Sequence, residues 1–352
     1  MGSIFYKLIR LKRDLLAWKN GKYKNLFQWS KGFYNDTVLI DGITKDNFHN
    51  FISDREYLTG HPWNGSYSSI IDNKLYLPYL LFNYQEYLPA TYLFKDKTGF
   101  LPIFQGTLLK EIAGKIRITV EEVLEIIKSK KTLILKHTHS SVGEGFHMVS
   151  HVNGSWFLDQ NKIEENRLTE FLQSLNQYIF QEKIIQDNYA SEINPSSVNT
   201  VRLQVAWNNN INSFVVVRAF HRFGANKQTV DNLGKGNGVL VYINPESGEL
   251  LKEGVVTRNG VKEYIQDKEI LHPDSNTLLS GKFLPGYKEM KEKIIEISNS
   301  ISFLKWIGWD VALTNDGFKI IETNSRTTLD TIQQRTGFRE TPWLAELFDK
   351  KF

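Results

Sequence analysis

The sequence contains no cysteine among its 352 residues. Disulfide bonds, thiolate metal sites and cysteine nucleophiles are therefore excluded. No run of apolar residues reaches the roughly 18–20 that a membrane-spanning helix needs. The first residues also lack the charged start, apolar stretch and cleavage site of a signal peptide. Together these absences lead us to expect a cytoplasmic protein.

A large excess of one charge is also missing, because 43 basic and 39 acidic residues leave a formal net charge of only +4. That balance is too weak to indicate nucleic acid as a partner, although it suits acidic small molecules or an anionic surface. Hydrophobic residues, in contrast, make up 41% of the chain and aromatic residues 13%. We therefore expect a sizeable core, shared by two or three structural units.

Residues 4–24 are the most basic stretch and interleave apolar side chains with Lys7, Arg10, Lys12, Arg13 and Lys19. The spacing predicts a basic amphipathic helix. One interpretation is docking on anionic lipid, at the inner face of the membrane, or on a membrane-bound partner such as a glycosyltransferase. The other is a helix that packs its apolar side on the protein body. With the aromatic-rich residues 25–90, this helix forms a first unit, residues 1–91, that we expect to be mostly helical.

Two α+β units are expected to follow. In residues 92–185, Thr119 and Glu122 stand at the capping-box spacing of a helix over 119–130. Strands are predicted over 132–136 and 146–151, on either side of a loop at 137–145. Residues 186–352 are dominated by predicted antiparallel strands, over 199–207, 213–223, 238–244 and 250–257, followed by a helix over 286–305 and a hairpin over 308–324.

The hairpin carries the most informative acids. We predict strands over 309–314 and 318–323, joined by the three-residue loop 315–317 with glycine at its last position. Under that loop Asp310 lies opposite Glu322. Both share a face with Ala312 and Ile320, and Asn324 continues that face.

Two carboxylates directly opposite one another repel, at a cost of up to about 1 kcal/mol. A cation between Asp310 and Glu322 would relieve that repulsion. Mg²⁺ takes oxygen ligands, and the Asn324 amide would supply another. The alternative is an exposed hairpin with incidental acids, which the apolar residues around the hairpin disfavour.

Other residues suit the binding of anions. Lys136 and the loop from Ser140 to Gly145 offer a point charge and backbone N–H groups to phosphates, or form an ordinary hairpin turn. Arg202, Arg218 and Arg222 suit bidentate contacts with phosphate or a carboxylate, or are plain strand arginines. Arg218 and Arg222 share a face of their predicted strand, with Phe220 between them. The glycine-rich stretch after Asp231 is either a mobile substrate loop or a flexible connection, and it is not a Walker loop.

The hairpin residues Asp310, Glu322 and Asn324, together with the turn between them, resemble the metal-binding end of ATP-grasp enzymes. The closest resemblance is to their sugar-transfer-associated branch, near proteins of teichuronopeptide biosynthesis. We expect the resemblance to cover about residues 92–330. It implies two α+β lobes that enclose ATP, with Mg²⁺ held by those three residues.

The resemblance also implies roles for other positions. Lys136 matches the nucleotide-binding lysine, although His137 follows it where proline is common. A second lysine of the family would be Lys95, Lys97 or Lys110. The implied sets are the ATP-covering loop Ser140, Ser141, Val142, Gly143 and Gly145; the adenine-binding hinge Gln181, Glu182, Lys183 and Ile184; the catalytic arginines Arg202 and Arg218; and the substrate residues Asn199, Asp231 and Asn232.

The implied activity is ATP-dependent ligation of a carboxylate to an amine through an acylphosphate. The family context suggests a small-molecule or lipid-linked sugar substrate and modification of a bacterial capsule or O-antigen with an amino acid or amine. Two alternatives remain open. One is a kinase of a sugar or alcohol, and the other is a nucleotide-binding partner of a glycosyltransferase without turnover.

Overall fold

A computed structural model describes residues 15, 19, 26–59, 63–103, 109–139, 145–227, 231, 237–258 and 261–349. The predicted basic helix over 4–24 lies outside these residues, apart from Leu15 and Lys19, which are both helical and exposed. Within the described part, no helix is long and apolar enough to cross a membrane.

The region before residue 91 consists of short helices, as its mostly helical prediction required. Tyr34 precedes the second of them, and Gly42 ends it in the left-handed conformation with φ 64°. The α-helices are α1 Leu26–Ser30, α2 Asn35–Asp41, α3 Asp54–Thr59, α4 Ser68–Ile71 and α5 Leu77–Leu80. Short 3-10 helices span Phe48–Asn50, Gly65–Tyr67 and Phe82–Tyr87.

A first antiparallel sheet has the strand order β2-β1-β7-β3-β4-β5-β6 within the described residues. Its strands are β1 Thr91–Asp96, β2 Gly99–Pro102, β3 Thr132–His137, β4 Phe146–Val152, β5 Ser155–Leu158, β6 Asn161–Ile163 and β7 Tyr178–Glu182. A 3-10 helix spans Lys110–Ile112, and the α-helices are α6 Val120–Lys130 and α7 Glu165–Ser174.

The helix α6 begins with the predicted capping box. Thr119 Oγ1 accepts from the N–H of Glu122 at 3.4 Å, and Glu122 Oε2 accepts from the N–H of Thr119 at 2.8 Å. Val123, Ile127 and Leu168 are fully buried against one face of the first sheet. The opposite face of this sheet carries Lys136, which is half-buried.

A second antiparallel sheet has the order β12-β11-β10-β9-β8-β13-β14 within the described residues. Its strands are β8 Thr200–Asn208, β9 Ser213–Gly224, β10 Gly238–Ile243, β11 Leu250–Arg258, β12 Val261–Gln266, β13 Trp306–Thr314 and β14 Gly317–Asn324. The short helix α8 Asn188–Ile193 precedes this sheet, and α9 Tyr287–Ser300 packs on it.

The last residues cover one end of this sheet. The helices α10 Leu329–Ile332 and α11 Pro342–Asp349 flank a 3-10 helix at Phe338–Glu340. Their aromatic side chains join Trp63 and Trp306, and the Trp63 and Phe348 ring centroids are 4.5 Å apart. This packing leaves the other end of the sheet for the polar side chains described below.

The pairing of β13 with β14 confirms Asp310 opposite Glu322 but corrects the turn. Thr314 pairs with Gly317, so the loop has two residues and not three. The register shifts between Asp310 and Val311, and this shift restores the predicted pairing of Asp310 with Glu322. Ile320 therefore pairs with Val311 and lies in the apolar core; its predicted place on the carboxylate face is wrong.

Candidate nucleotide and metal site

Asp310 lies at the centre of the site and is 1% exposed. Its neighbour across β8 and β13 is Arg202, whose Nε lies 2.5 Å from Oδ1 and whose Nη2 lies 2.7 Å from Oδ2. Arg222 on β9 places Nη2 3.0 Å from Oδ1. A two-pronged guanidinium–carboxylate pair is strong and geometrically specific. Asp310 is thus held rigidly by two arginines.

Burial and charge together set the protonation states of this cluster. Burial alone would raise the pKa of Asp310, but Arg202 and Arg222 outweigh it and hold that pKa well below its ordinary value. Burial would lower the pKa of Arg222, yet Asp231 and Asp310 raise it above its ordinary value. Both groups therefore stay charged at neutral pH.

Asp231 completes the cluster from the loop after β9. Its Oδ2 lies 3.6 Å from Arg222 Nε and accepts the Thr200 N–H at 2.8 Å. The Thr200 hydroxyl also donates to Oδ2. Burial raises the pKa of Asp231, although Arg222 and the Thr200 hydroxyl oppose that rise. Asp231 was expected near substrate, and the structure brings it to the arginine that contacts Asp310.

Gly308 has no side chain, so Thr327 and Gln204 can pack close to its backbone. A Cβ at Gly308 would lie 2.6 Å from Thr327 Oγ1 and 3.1 Å from Gln204 Oε1. Thr327 Oγ1 accepts from Arg202 Nη1 at 2.9 Å and donates to Gln204 Oε1 at 2.6 Å. The missing side chain therefore lets Thr327 approach and orient Arg202.

Glu322 lies beside Asp310 and faces two lysines. Lys74 Nζ is 3.3 Å from Glu322 Oε2, and the Glu322 side chain is 31% exposed. Burial lowers the pKa of Lys136 to about 8; Glu322 opposes this effect and Lys74 adds to it. The predicted phosphate-binding Lys136 and the predicted metal ligand Glu322 thus come from different sheets and meet at one place.

The oxygen donors present fit a hard divalent cation such as Mg²⁺. Glu322 and Asn324 offer a partly exposed carboxylate and an amide oxygen on one strand. Both oxygens of Asp310 already accept N–H groups, from Arg202, Arg222 and, at 3.4 Å, Asn324 Nδ2. Glu322 and Asn324 are therefore the more open donors, and Asp310 as a direct ligand stays a prediction.

The hinge residues at the end of β7 and just after it include both polar and apolar groups. Gln181 is 5% exposed; its Nε2 donates to Thr91 Oγ1 at 2.8 Å, and its Oε1 finds no partner within the described residues. The N–H of Glu182 donates to Ala90 O at 2.8 Å. Glu182 and Lys183 are exposed and Ile184 is half-buried. This arrangement leaves groups for a nucleobase, whose contact here stays a prediction.

The predicted ATP-covering loop is described only at its end. Ser140, Ser141, Val142 and Gly143 lie outside the described residues. Gly145 adopts φ 63°, and a Cβ there would lie 2.8 Å from His137 Cβ. Glycine is therefore required where the chain returns to β4.

Asn199 was predicted to contact substrate, and its side chain is bound by neighbouring residues. Asn199 is 1% exposed, and its amide binds Gln186, Ala190 and Asn194. These hydrogen bonds stabilise the connection before β8, and contact of Asn199 with substrate stays a prediction. Asn232 lies outside the described residues.

Arg218 points to the covered end of the second sheet. It donates to Val217 O at 2.7 Å, to Thr336 Oγ1 at 2.6 Å and to Gln333 O at 3.2 Å. Its guanidinium carbon lies 5.2 Å from the Phe338 ring centroid. In this structure Arg218 makes packing contacts, four positions along β9 from Arg222, and its catalytic role stays a prediction.

The sequence did not indicate Lys74 as a site residue, nor the contact of Arg222 with Asp310. Of the three lysines considered for the second position, Lys95 is buried in the first sheet and donates to Asp96 O. No local pattern distinguishes Lys74, because its neighbour Glu322 lies far along the chain. The spacing of Arg218, Phe220 and Arg222 placed both arginines on one face of the strand. It did not indicate which arginine reaches Asp310.

The chain matches the family described as sugar-transfer-associated ATP-grasp over residues 55–341. No curated protein matches it. Similar solved structures include the ATP-grasp ligase PsnB complexed with precursor peptide PsnA2 and AMPPNP, at 13% identity and TM-score 0.36 over 82% of this chain and 63% of that chain. The chain thus spans less than two thirds of PsnB.

Two further solved structures are also similar. D-alanine–D-alanine ligase from Bacillus anthracis shares 11% identity at TM-score 0.40, over 82% of this chain and 68% of that chain. D-alanyl-alanine synthetase A from Vibrio cholerae shares 10% identity at TM-score 0.43, over 83% of this chain and 67% of that chain.

Proposed function

Because the chain belongs to the sugar-transfer-associated ATP-grasp family, we propose that it is an ATP-dependent ligase that joins a carboxylate to an amine. One observation carries this proposal: two acids, two arginines and two lysines converge where the two sheets meet. They are Asp310, Glu322, Arg202, Arg222, Lys74 and Lys136. This charge pattern suits a triphosphate with its cation.

In the proposed reaction, a substrate carboxylate oxygen attacks the γ-phosphorus of ATP. The bond to the β–γ bridging oxygen breaks, which yields an acylphosphate and ADP. The amine then attacks the acyl carbon and inorganic phosphate leaves, with loss of the amine proton, to give an amide. Lys74 and Lys136 would bind phosphate oxygens, and Arg202 and Arg222 would oppose the charge that develops during transfer.

Mg²⁺ held by Glu322 and Asn324, with Asp310 alongside, would neutralise phosphate charge when bound. The chain's own contribution is mainly positional. Asp310 orients Arg202 and Arg222, and Thr327 and Gln204 support Arg202 from behind. Adenine would lie at the hinge from Gln181 to Ile184, where the side-chain oxygen of Gln181 has no partner within the described residues.

The family description supports a sugar-containing acceptor. We propose a small-molecule or lipid-linked sugar of a bacterial capsule or O-antigen, modified with an amino acid or amine. Residues 1–25 hold seven basic residues and one acid, which suits contact with an anionic membrane surface that carries such a lipid. The compartment in this proposal is the inner face of the membrane.

The activity can be tested by ADP release with candidate uronic or amino acids, with and without an amine. Release that depends on both acid and amine is expected. Glu322→Gln should lower turnover by about a hundredfold or more, because it removes charge from the metal-binding edge. Glu289→Gln on the exposed side of α9 is the matched control and should retain turnover.

Other results would point elsewhere. A phosphorylated alcohol as product would identify a kinase, and ATP binding without turnover would identify a non-catalytic partner of a glycosyltransferase. Full activity in Glu322→Gln, with unchanged circular dichroism, would contradict the metal assignment. Absence of ATP binding in the presence of Mg²⁺ would reject the proposed function altogether.

A further inference from the structure

Asp72 lies just after α4 and accepts two hydrogen bonds from Ser325, the residue that follows the candidate metal ligand Asn324. Its Oδ1 accepts the Ser325 N–H at 2.7 Å, and its Oδ2 accepts the Ser325 hydroxyl at 2.6 Å. Ser325 is 3% exposed, whereas Asp72 is exposed. Both carboxylate oxygens are therefore committed to one residue directly after Asn324.

A second contact holds the same strand two residues earlier. Thr323 Oγ1 donates to the carbonyl oxygen of Ile71 at 2.6 Å. Successive side chains of a strand point to opposite sides. Thr323 and Ser325 therefore face the chain at 71–72, while Glu322 and Asn324 face the site. The contacts therefore alternate with the candidate ligands from the end of β14 to the residue after it.

The strand β14 needs such support because it is an edge strand. It pairs with β13 on one side and ends the strand order of the second sheet in the described residues. No sheet hydrogen bonds therefore fix its outer side within that part of the chain. Instead, Thr323 and Ser325 donate three hydrogen bonds to Ile71 and Asp72 at the end of the strand that carries Glu322 and Asn324.

We propose that Asp72 is a positioning residue for the metal site, which holds the end of β14 so that Glu322 and Asn324 keep the spacing that Mg²⁺ requires. Mg²⁺ demands near-ideal octahedral geometry with short bonds, so small displacements of its ligands weaken binding. Residues that orient metal ligands commonly change metal affinity about 10- to 100-fold when replaced. This role rests on the proposed function of Glu322 and Asn324.

The test measures binding of a fluorescent ATP analogue to the full chain, in Mg²⁺ and in EDTA. Asp72→Ala should weaken binding about tenfold in Mg²⁺ and leave binding in EDTA unchanged. Asp72→Asn should retain most of the affinity, because its amide can accept the Ser325 N–H and donate to the hydroxyl. Ser325→Ala, which keeps the backbone contact, is the matched variant and should lose less than Asp72→Ala.

Titration with Mn²⁺, followed by electron paramagnetic resonance, gives a readout without turnover. Asp72→Ala should shift the Mn²⁺ dissociation constant by a similar factor at an unchanged melting temperature. Equal loss in Mg²⁺ and in EDTA, or no loss in either, would overturn the role of Asp72 alone. A wild-type protein whose nucleotide binding ignores Mg²⁺ would overturn the proposed function and this role with it.

Discussion

Asp310 is the side chain on which the geometry of the site depends most. It accepts donors from Arg202, Arg222 and Asn324 while it is almost fully buried. Removing one partner from a buried ion pair typically costs about 3–5 kcal/mol, because it leaves an uncompensated charge. Substitutions at Asp310 therefore mix folding with function, and Glu322 is the better residue at which to examine the chemistry.

Lys136 leads to a prediction about pH. Burial lowers its pKa to about 8, and Lys74 adds to that effect against Glu322. Below pH 8 the ammonium group is charged and attracts phosphate; above pH 8 it is neutral. ATP affinity should therefore fall about ten- to thirtyfold as pH rises from 6.5 to 9.5. A hydrogen bond to a charged group contributes about 1.5–3 kcal/mol, and about one Lys136 side chain in thirty is still protonated 1.5 pH units above its pKa.

Competition with a fluorescent nucleotide across that pH range checks this prediction. Lys136→Arg is the control, because a guanidinium stays charged throughout and its affinity should vary much less. A wild-type affinity that stays flat up to pH 9.5 would show that Lys136 does not contact the phosphates.

At the scale of elements, β13 and β14 show how a strand pair presents a ligand set. The two-residue turn and the register shift beside Asp310 cancel, so that Asp310 and Glu322 pair across the strands. The shift also sends Ile320 into the core while Glu322 faces the site. A single register shift thus places an apolar side chain in the core and a carboxylate at the site.

Gly308 on β13 supports a prediction about stability. Gly308→Ala should reduce the free energy of unfolding by about 1–3 kcal/mol, because its Cβ would lie 2.6 Å from Thr327 Oγ1. Denaturant unfolding measures this loss. In a Thr327→Ala background that contact is absent, so the same substitution should cost less. Equal losses in both backgrounds would show that Thr327 is not the obstacle.

At the scale of the molecule, residues before the first sheet take part in the site. The segment 71–74 binds β14 through Asp72 and Ile71, and Lys74 N–H donates to Thr138 O at the end of β3. The family match likewise begins at residue 55, which corrects the expectation that the first ninety residues lie outside it. The proposed division at residues 91 and 185 stays a prediction.

The basic N-terminal stretch supports a prediction for the whole protein. Replacing Lys7, Arg10, Lys12 and Arg13 by Gln should abolish sedimentation with phosphatidylglycerol vesicles, because each basic residue near an anionic surface contributes about 1 kcal/mol. Replacing the exposed Lys252, Lys268, Lys282 and Lys288 by Gln is the charge-matched control and should leave sedimentation unchanged.

Wild-type binding should also weaken as salt increases. Equal sedimentation of both four-site variants would reject a specific role for the N-terminal charges. A lower melting temperature for the N-terminal variant, without vesicle binding by the wild type, would favour a helix that packs on the body.

Local sequence patterns were sufficient to predict the family, the α+β class, the capping box at Thr119 and the pairing of Asp310 with Glu322. These depend on alternation, turns and motifs within short stretches of chain, whose physics is local. Tertiary structure decided that Arg222 reaches Asp310, that Asn199 and Arg218 are used in packing, and that Lys74 meets Glu322. Such contacts join distant positions, as for Arg202 and Asp310, 108 positions apart, and they follow from strand order and burial, which no local pattern encodes.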